Sequence, residues 1–258
     1  MRKLKEERLG EISISNEGYK MKIVEYNGKN DIIVEFQDKY KARVHKRYDH
    51  FLEGVVKNPY HPSIYGVGYI GVGKYKVSEN GKKTDAYKTW SSMLQRCYDA
   101  YYINKELTYV DCYVCEDWHN FQNFGKWWEE NVYNCNNERM HLDKDILIKG
   151  NKIYSPNTCI IVPERINKLF IRKERKKDKN LPIGVFYYNN NGLMAKISKT
   201  RKNKEIVGVF PLDKPFQAFT CYKENKENYI KQVADEYKDL IPTKLYEALY
   251  NYEIDIND

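Results

Sequence analysis

The sequence predicts an α+β chain made of small antiparallel sheets and amphipathic helices. Three observations predict it: alternating apolar residues between turn signals near the N-terminus, helical apolar spacing in the middle, and three short strands followed by a long helical stretch near the C-terminus. The natural division is an N-terminal β-rich (SH3-like) module over 1–65, a central module over 66–172, and a basic linker with a terminal module over 173–258.

Residues Leu9 to Tyr60 read as short strands, with Met21, Ile23 and Glu25 alternating against Lys22, Val24 and Tyr26. The Asn27-Gly28 dipeptide predicts the first hairpin turn, so a small antiparallel sheet or SH3-like barrel is expected. Lys41, Arg43, His45, Lys46 and Arg47 form a basic cluster there, suited either to phosphate contacts or to guarding a solvated strand edge. The Pro- and Gly-rich stretch from Asn58 to Gly73 reads as a connector or extended arm.

From Asp85 the pattern turns helical: Trp90, Met93, Leu94 and Cys97 stand at i, i+3, i+4 and i+7. A second helical stretch spans Glu116 to Asn131. Its aromatic face of Trp118, Phe121, Phe124, Trp127 and Trp128 is best explained as core. A short strand follows near Met140 to Ile146 and another at Cys159 to Val162. Pro163 sits where a helix would begin, running from Glu164 to Phe170. GVFYY, LMAKISKT and EIVGVF then spell three strands, followed by a helix from Pro215 to about Tyr237 and a last one from Pro242 to Tyr252.

Charge narrows the function classes. The chain has 258 residues and a net charge of +8 from 44 Lys+Arg against 36 Asp+Glu, and the excess is unevenly spread. Residues 168–179 hold seven basic side chains against two acids, and residues 189–204 hold five against none. Such a strip suits a phosphate backbone. The 24 tyrosines fit stacking or hydrogen bonding to nucleic acid as well as core packing. No apolar run approaches a membrane span and no apolar signal region is visible, so a cytoplasmic protein without a membrane partner is expected. Six cysteines are too few for a disulfide scaffold, which points to a reducing compartment.

Residues GVF at Gly184, GLMAKI at Gly192, VGVF at Val207 and the FQAF helix at Phe216 together resemble the AP2 domain over about 60 residues. The resemblance implies a three-stranded sheet plus helix whose open face enters the DNA major groove. A β-ribbon fits that groove physically as well. Tyr187, Lys196, Ser198, Arg201 and Lys204 are the outward or turn positions expected to touch DNA, with Lys168, Arg172, Lys173, Arg175, Lys176 and Lys177 of the basic run beside them. Plant-type AP2 domains carry arginines just after the Gly-Val. Here Phe186 and Tyr187 stand there, so base specificity does not carry over.

The segments TWSSMLQRCY, VCEDWHNFQNF and HLDKDILIKGNKIYSPNTCIIVPERIN, between about Ala86 and Phe170, resemble phage and mobile-element proteins related to HNH homing endonucleases. The resemblance implies a ββα-type centre, with Asp143 as the metal-binding acid, Asn167 as second ligand, Thr158 beside Asn157 at the loop-holding position, and Mg2+ or Mn2+ as cofactor. Lys144 then stands where the general-base histidine belongs. An ordinary lysine, with a pKa of about 10.4, cannot take a proton from water, and Asp143 and Asp145 favour its charged form further. It could hold a scissile phosphate, leaving His141 as the candidate base. Zinc is the weaker expectation: Cys112 and Cys115 form one CxxC that would need His119 and Cys97, Cys135 or Cys159 to complete a site. The expected partner is double-stranded DNA, cut or nicked if the centre is active. The alternative is an inactive HNH/AP2-like scaffold acting as a DNA-binding regulator, or as an inhibitor of a host defence protein.

Overall fold

A computed structural model describes residues 5–170, 181–189, 191–199 and 203–256. It is an α+β chain that divides into two compact units, Met1–Glu130 with Lys152–Ser155, and Asn131–Asn151 with Pro156–Asp258. Among the described residues no helix is long and apolar enough to cross a membrane.

The first unit opens with a short helix, α1 (Lys5–Arg8), and a meander of β1 (Ile12–Ile14), β2 (Lys20–Gly28), β3 (Asp31–Phe36) and β4 (Arg43–Lys46), paired in the order β1-β2-β3-β4. Period-two alternation sends Met21 and Ile23 of β2, and Ile32, Val34 and Phe36 of β3, into one core, where all five are fully buried. Helix α2 (Tyr48–Leu52) covers it with Tyr48 and Phe51. The sheet is open rather than a closed barrel. Asn27-Gly28 does not make the turn: Gly28 still pairs with Asp31, and the chain reverses at Lys29-Asn30. Within the basic cluster, Arg43 reaches Glu35 (2.8 Å), His45 reaches Asp31 (2.7 Å) and Arg47 reaches Asp49 (2.5 Å).

The Asn58–Gly73 stretch is a fitted strap, not a free arm. Ile64 bridges Gly68, and Tyr69 bridges Asn120. Gly68 lies so close to Trp90 and Leu94 that a side chain there would collide with both. Helix α3 (Asp85–Tyr98) starts at Thr84, whose Oγ1 accepts from Tyr87 N at 3.3 Å. It buries Trp90, Met93, Leu94 and Cys97, the four residues that helical spacing picks out. Asp99 caps α4 (Ala100–Lys105) through Tyr102 N at 3.0 Å. Trp118 precedes α5 (Phe121–Asn131), whose Phe121, Phe124, Trp127 and Trp128 are all buried. Segment Tyr113–Val114 pairs in parallel with Ile153–Tyr154.

The second unit holds an antiparallel pair, β5 (Met140–Asp143) and β6 (Ile160–Pro163), followed at once by α6 (Glu164–Phe170). A three-stranded antiparallel sheet comes next: β7 (Val185–Tyr188), β8 (Gly192–Ser198) and β9 (Lys204–Pro211). Helix α7 (Pro215–Glu236) packs on one side of it, and α8 (Thr243–Tyr250) packs on α7 with Leu245 and Leu249 buried. One apolar core joins Val162, Ile166, Val185, Leu193, Ala195, Ile230 and Val233. Each fully buried valine, leucine or isoleucine among them contributes about 1.5–3 kcal/mol relative to exposure.

Candidate functional site

The β5–β6–α6 segment carries the residues expected to do chemistry. His141 pairs with Val162 and Asp143 with Ile160, so His141 and Asp143 share one side of β5 while Leu142 faces the other. Pro163 closes β6 and Glu164 opens the helix, its backbone N–H donating to Arg139 O at 2.9 Å. Asn167 sits half-buried on α6. Lys168, one residue on, is held by Glu164 at 2.9 Å. Asn157 is exposed, and Thr158 Oγ1 lies 4.0 Å from Cys159 Sγ.

Asp143 ends the strand by folding its carboxylate over the next turn. Oδ1 accepts from Asp145 N and Ile146 N, both at 2.8 Å. Burial pushes its carboxyl pKa up, against the pull of those two N–H donors. Both bonds fall on Oδ1, which leaves Oδ2 as the oxygen that could meet a cation. His141 has its Nε2 withdrawn from solvent, and its ring and Arg139 lie close enough to Glu164 to favour that residue's charge after Lys168 does.

Lys144 is buried and turned into its own loop. Its Nζ donates to Asp145 Oδ1 and Oδ2 at 2.8 Å each and to Asn151 O at 2.7 Å. Asn151 Nδ2 returns a bond to Lys144 O at 3.0 Å. This reciprocal clasp closes residues 144–151, so the ammonium supports the loop between the two strands. Lys144→Ala is expected to cost about 1–3 kcal/mol, because the part-buried Asn151 carbonyl loses this donor. Chemical denaturation of the two forms checks this; equal midpoints would contradict the clasp.

Among the described residues no three or more His, Cys, Asp or Glu side chains converge as a metal-binding group. Of the residues weighed for zinc, Cys112 Sγ points to Thr108 O at 3.8 Å and His119 Nε2 meets Tyr98 OH at 3.4 Å. All six cysteines are free thiols.

The three-stranded sheet offers a different surface. Val185, Leu193, Ala195 and Ile197 face α7 and are buried. The register puts Phe186, Met194 and Val209 together on the opposite side, with Lys196 beside Ile206 and Ser198 beside Lys204. That side carries two lysines, the Ser198 and Tyr188 hydroxyls, and no carboxylate among its paired residues. Lys196 Nζ stands 5.6 Å from the centre of the Phe186 ring, a cation–π contact that holds the ammonium on the open face. Lys199, by contrast, turns to the helix side, 2.6 Å from Glu205 and over the Tyr229 ring.

Lys196, Ser198 and Lys204 therefore lie together on the open side. Tyr187 does not join them: it pairs with the buried Leu193 and so belongs to the helix side, half-exposed at the sheet's rim. The outward aromatics are its neighbours Phe186 and Tyr188. Exposed Ile206 and Val209 also belong to this face and were not singled out by sequence. The alternation of β9 carries part of that signal, but a bulge between Ala195 and Lys196 shifts the pairing and blurs it. Arg172, Lys173, Arg175, Lys176, Lys177 and Arg201 lie outside the described residues.

No family model, curated protein or solved structure matches this chain. The likeness to HNH and AP2 proteins rests on the sequence segments quoted above.

Proposed function

We propose that this is a DNA-binding protein of phage or mobile-element type that lays the open face of the β7–β8–β9 sheet against duplex DNA. The observation that carries this reading is the make-up of that face: Lys196 and Lys204 with Ser198 between them, and no carboxylate among the paired residues to repel a phosphate. Lysines and a hydroxyl supply backbone contacts, which position a protein on DNA. Exposed Ile206 and Val209 can meet thymine methyls in the major groove. The reading places the protein in the cytoplasm, that of the host if it is phage-encoded.

The test is binding to a labelled duplex across a salt series. The logarithm of the binding constant should fall linearly with the logarithm of salt concentration, by about 0.9 for each phosphate neutralised. Binding that ignores salt, or no duplex binding at all, would overturn the reading in favour of a host-protein partner, for which Tyr188, Ile206 and Val209 form an apolar patch.

A second reading, metal-assisted cleavage, is favoured by one observation: His141 and Asp143 stand on the same side of β5, just before α6 brings Asn167. Asp143 Oδ2 and Asn167 would hold a Mg2+ or Mn2+ ion, which stabilises a leaving oxygen when bound. His141 would take the proton from the attacking water. Nicking of supercoiled plasmid by the wild type that Asp143→Ala and His141→Ala both abolish would support it. Three equally inactive proteins would leave a binder without chemistry.

A further inference from the structure

Residues Ser78–Glu79 and Lys82–Lys83 form a two-stranded ribbon with Ser78 opposite Lys83 and Glu79 opposite Lys82. Its turn, Asn80-Gly81, has positive φ at both positions (49° and 75°), the geometry that best matches strand twist in a two-residue hairpin. All six residues are exposed. A lone hairpin is marginal in water without a packed face, and this one buries no apolar surface of its own.

It is nonetheless rigidly footed. Thr84 N donates to Val77 O at 3.1 Å, and Thr84 Oγ1 donates to Lys76 O at 3.0 Å while also capping α3. The ribbon is thus held at the start of a buried helix, with its tip in solvent. Its charges are lopsided. The one acid, Glu79, is shared with Lys76 at 3.9 Å. Lys82 and Lys83 have no carboxylate within ion-pair reach among the described residues, and Lys83 rests over the Tyr87 ring at 5.5 Å.

We infer that this ribbon is a second DNA contact, placing Lys82 and Lys83 on phosphate oxygens of a duplex. The inference rests on the duplex-binding reading above. Charge complementarity favours it: two exposed ammoniums outside any close ion pair, on a narrow, anchored ribbon, suit a polyanion with grooves wide enough to admit a β-ribbon. Nothing inside the first unit covers them.

The experiment compares the full chain with its Lys82→Ala, Lys83→Ala double variant on the same labelled duplex across salt. Removing two phosphate contacts should weaken low-salt binding and reduce the steepness of the log–log salt plot by about 1.8. The thermal unfolding midpoint should stay put, because both side chains are exposed. A wild type with steep salt dependence and a double variant indistinguishable from it would overturn the ribbon contact and leave the sheet-face reading standing. A wild type without salt-dependent binding would remove the sheet-face reading, and the ribbon contact with it.

Discussion

Replacing Gly184 with alanine should lower the stability of the second unit by about 2–5 kcal/mol, since two penalties fall on one methyl group. Gly184 has a φ of 80°, in the left-handed region, where a side chain costs about 1–2 kcal/mol. A Cβ there would also fall inside the ring of Tyr222, a buried residue of α7. Pushing that ring away opens the layer between sheet and helix, an overpacking cost of about 1–3 kcal/mol. Gly150 separates the two terms: its φ is 71°, yet nothing lies within 4 Å of where its Cβ would be. Gly150→Ala should therefore show the backbone cost alone. Urea unfolding of both variants decides it. If Gly184→Ala is no worse than Gly150→Ala, the sheet does not sit on Tyr222 as described. A glycine at the head of the GVF segment is thus explained by packing as well as by turn geometry.

The helices and the terminal sheet could be read from the sequence because their cores are periodic. Trp90, Met93, Leu94 and Cys97 repeat every turn, and all four are buried on α3. Pro163 before Glu164 marks the start of α6 because proline suits a helix's first turn and cannot donate in a ladder. Features that depend on a distant partner were not legible. The glycines of the 58–73 strap read as a connector, since nothing local says that Gly68 must clear Trp90. The role of Lys144 is equally hidden: its clasp on Asn151 closes across seven residues, and no pattern in the strand announces it. The face that takes Tyr187 is hidden for a different reason. Val185 to Tyr188 are four large side chains in a row without polar alternation, so only pairing with Leu193 assigns the faces. The candidate chemistry was legible as residue types. That His141 and Asp143 share a side follows from alternation, whereas the two N–H donors on Asp143 Oδ1 come from the turn it caps.

Charge reversal on the open face should have the largest functional effect. In a Lys196→Glu, Lys204→Glu double variant, duplex affinity should fall by tenfold or more, about 1.4 kcal/mol at the least, and the salt plot should lose about two phosphate contacts' worth of slope. Both side chains project from the face away from α7, so the core of Val185, Leu193, Ala195 and Ile197 is untouched and the fold should persist. Tyr187→Ala is the informative companion. The sequence placed Tyr187 among the DNA contacts, but its register puts it on the helix side. It should leave duplex affinity within about twofold, a difference of a few tenths of a kcal/mol. Val209→Ala distinguishes the kinds of partner. Val209 is exposed and stands opposite Met194 on the same face as the lysines. Against a phosphate backbone its loss should change little of the salt response. In a protein interface it would remove apolar contact and the lysine reversals would matter less. Anisotropy titrations of the three variants at two salt concentrations, read side by side, separate these cases. Full binding by the lysine double variant, with its salt response unchanged, would remove the sheet face from the DNA interface.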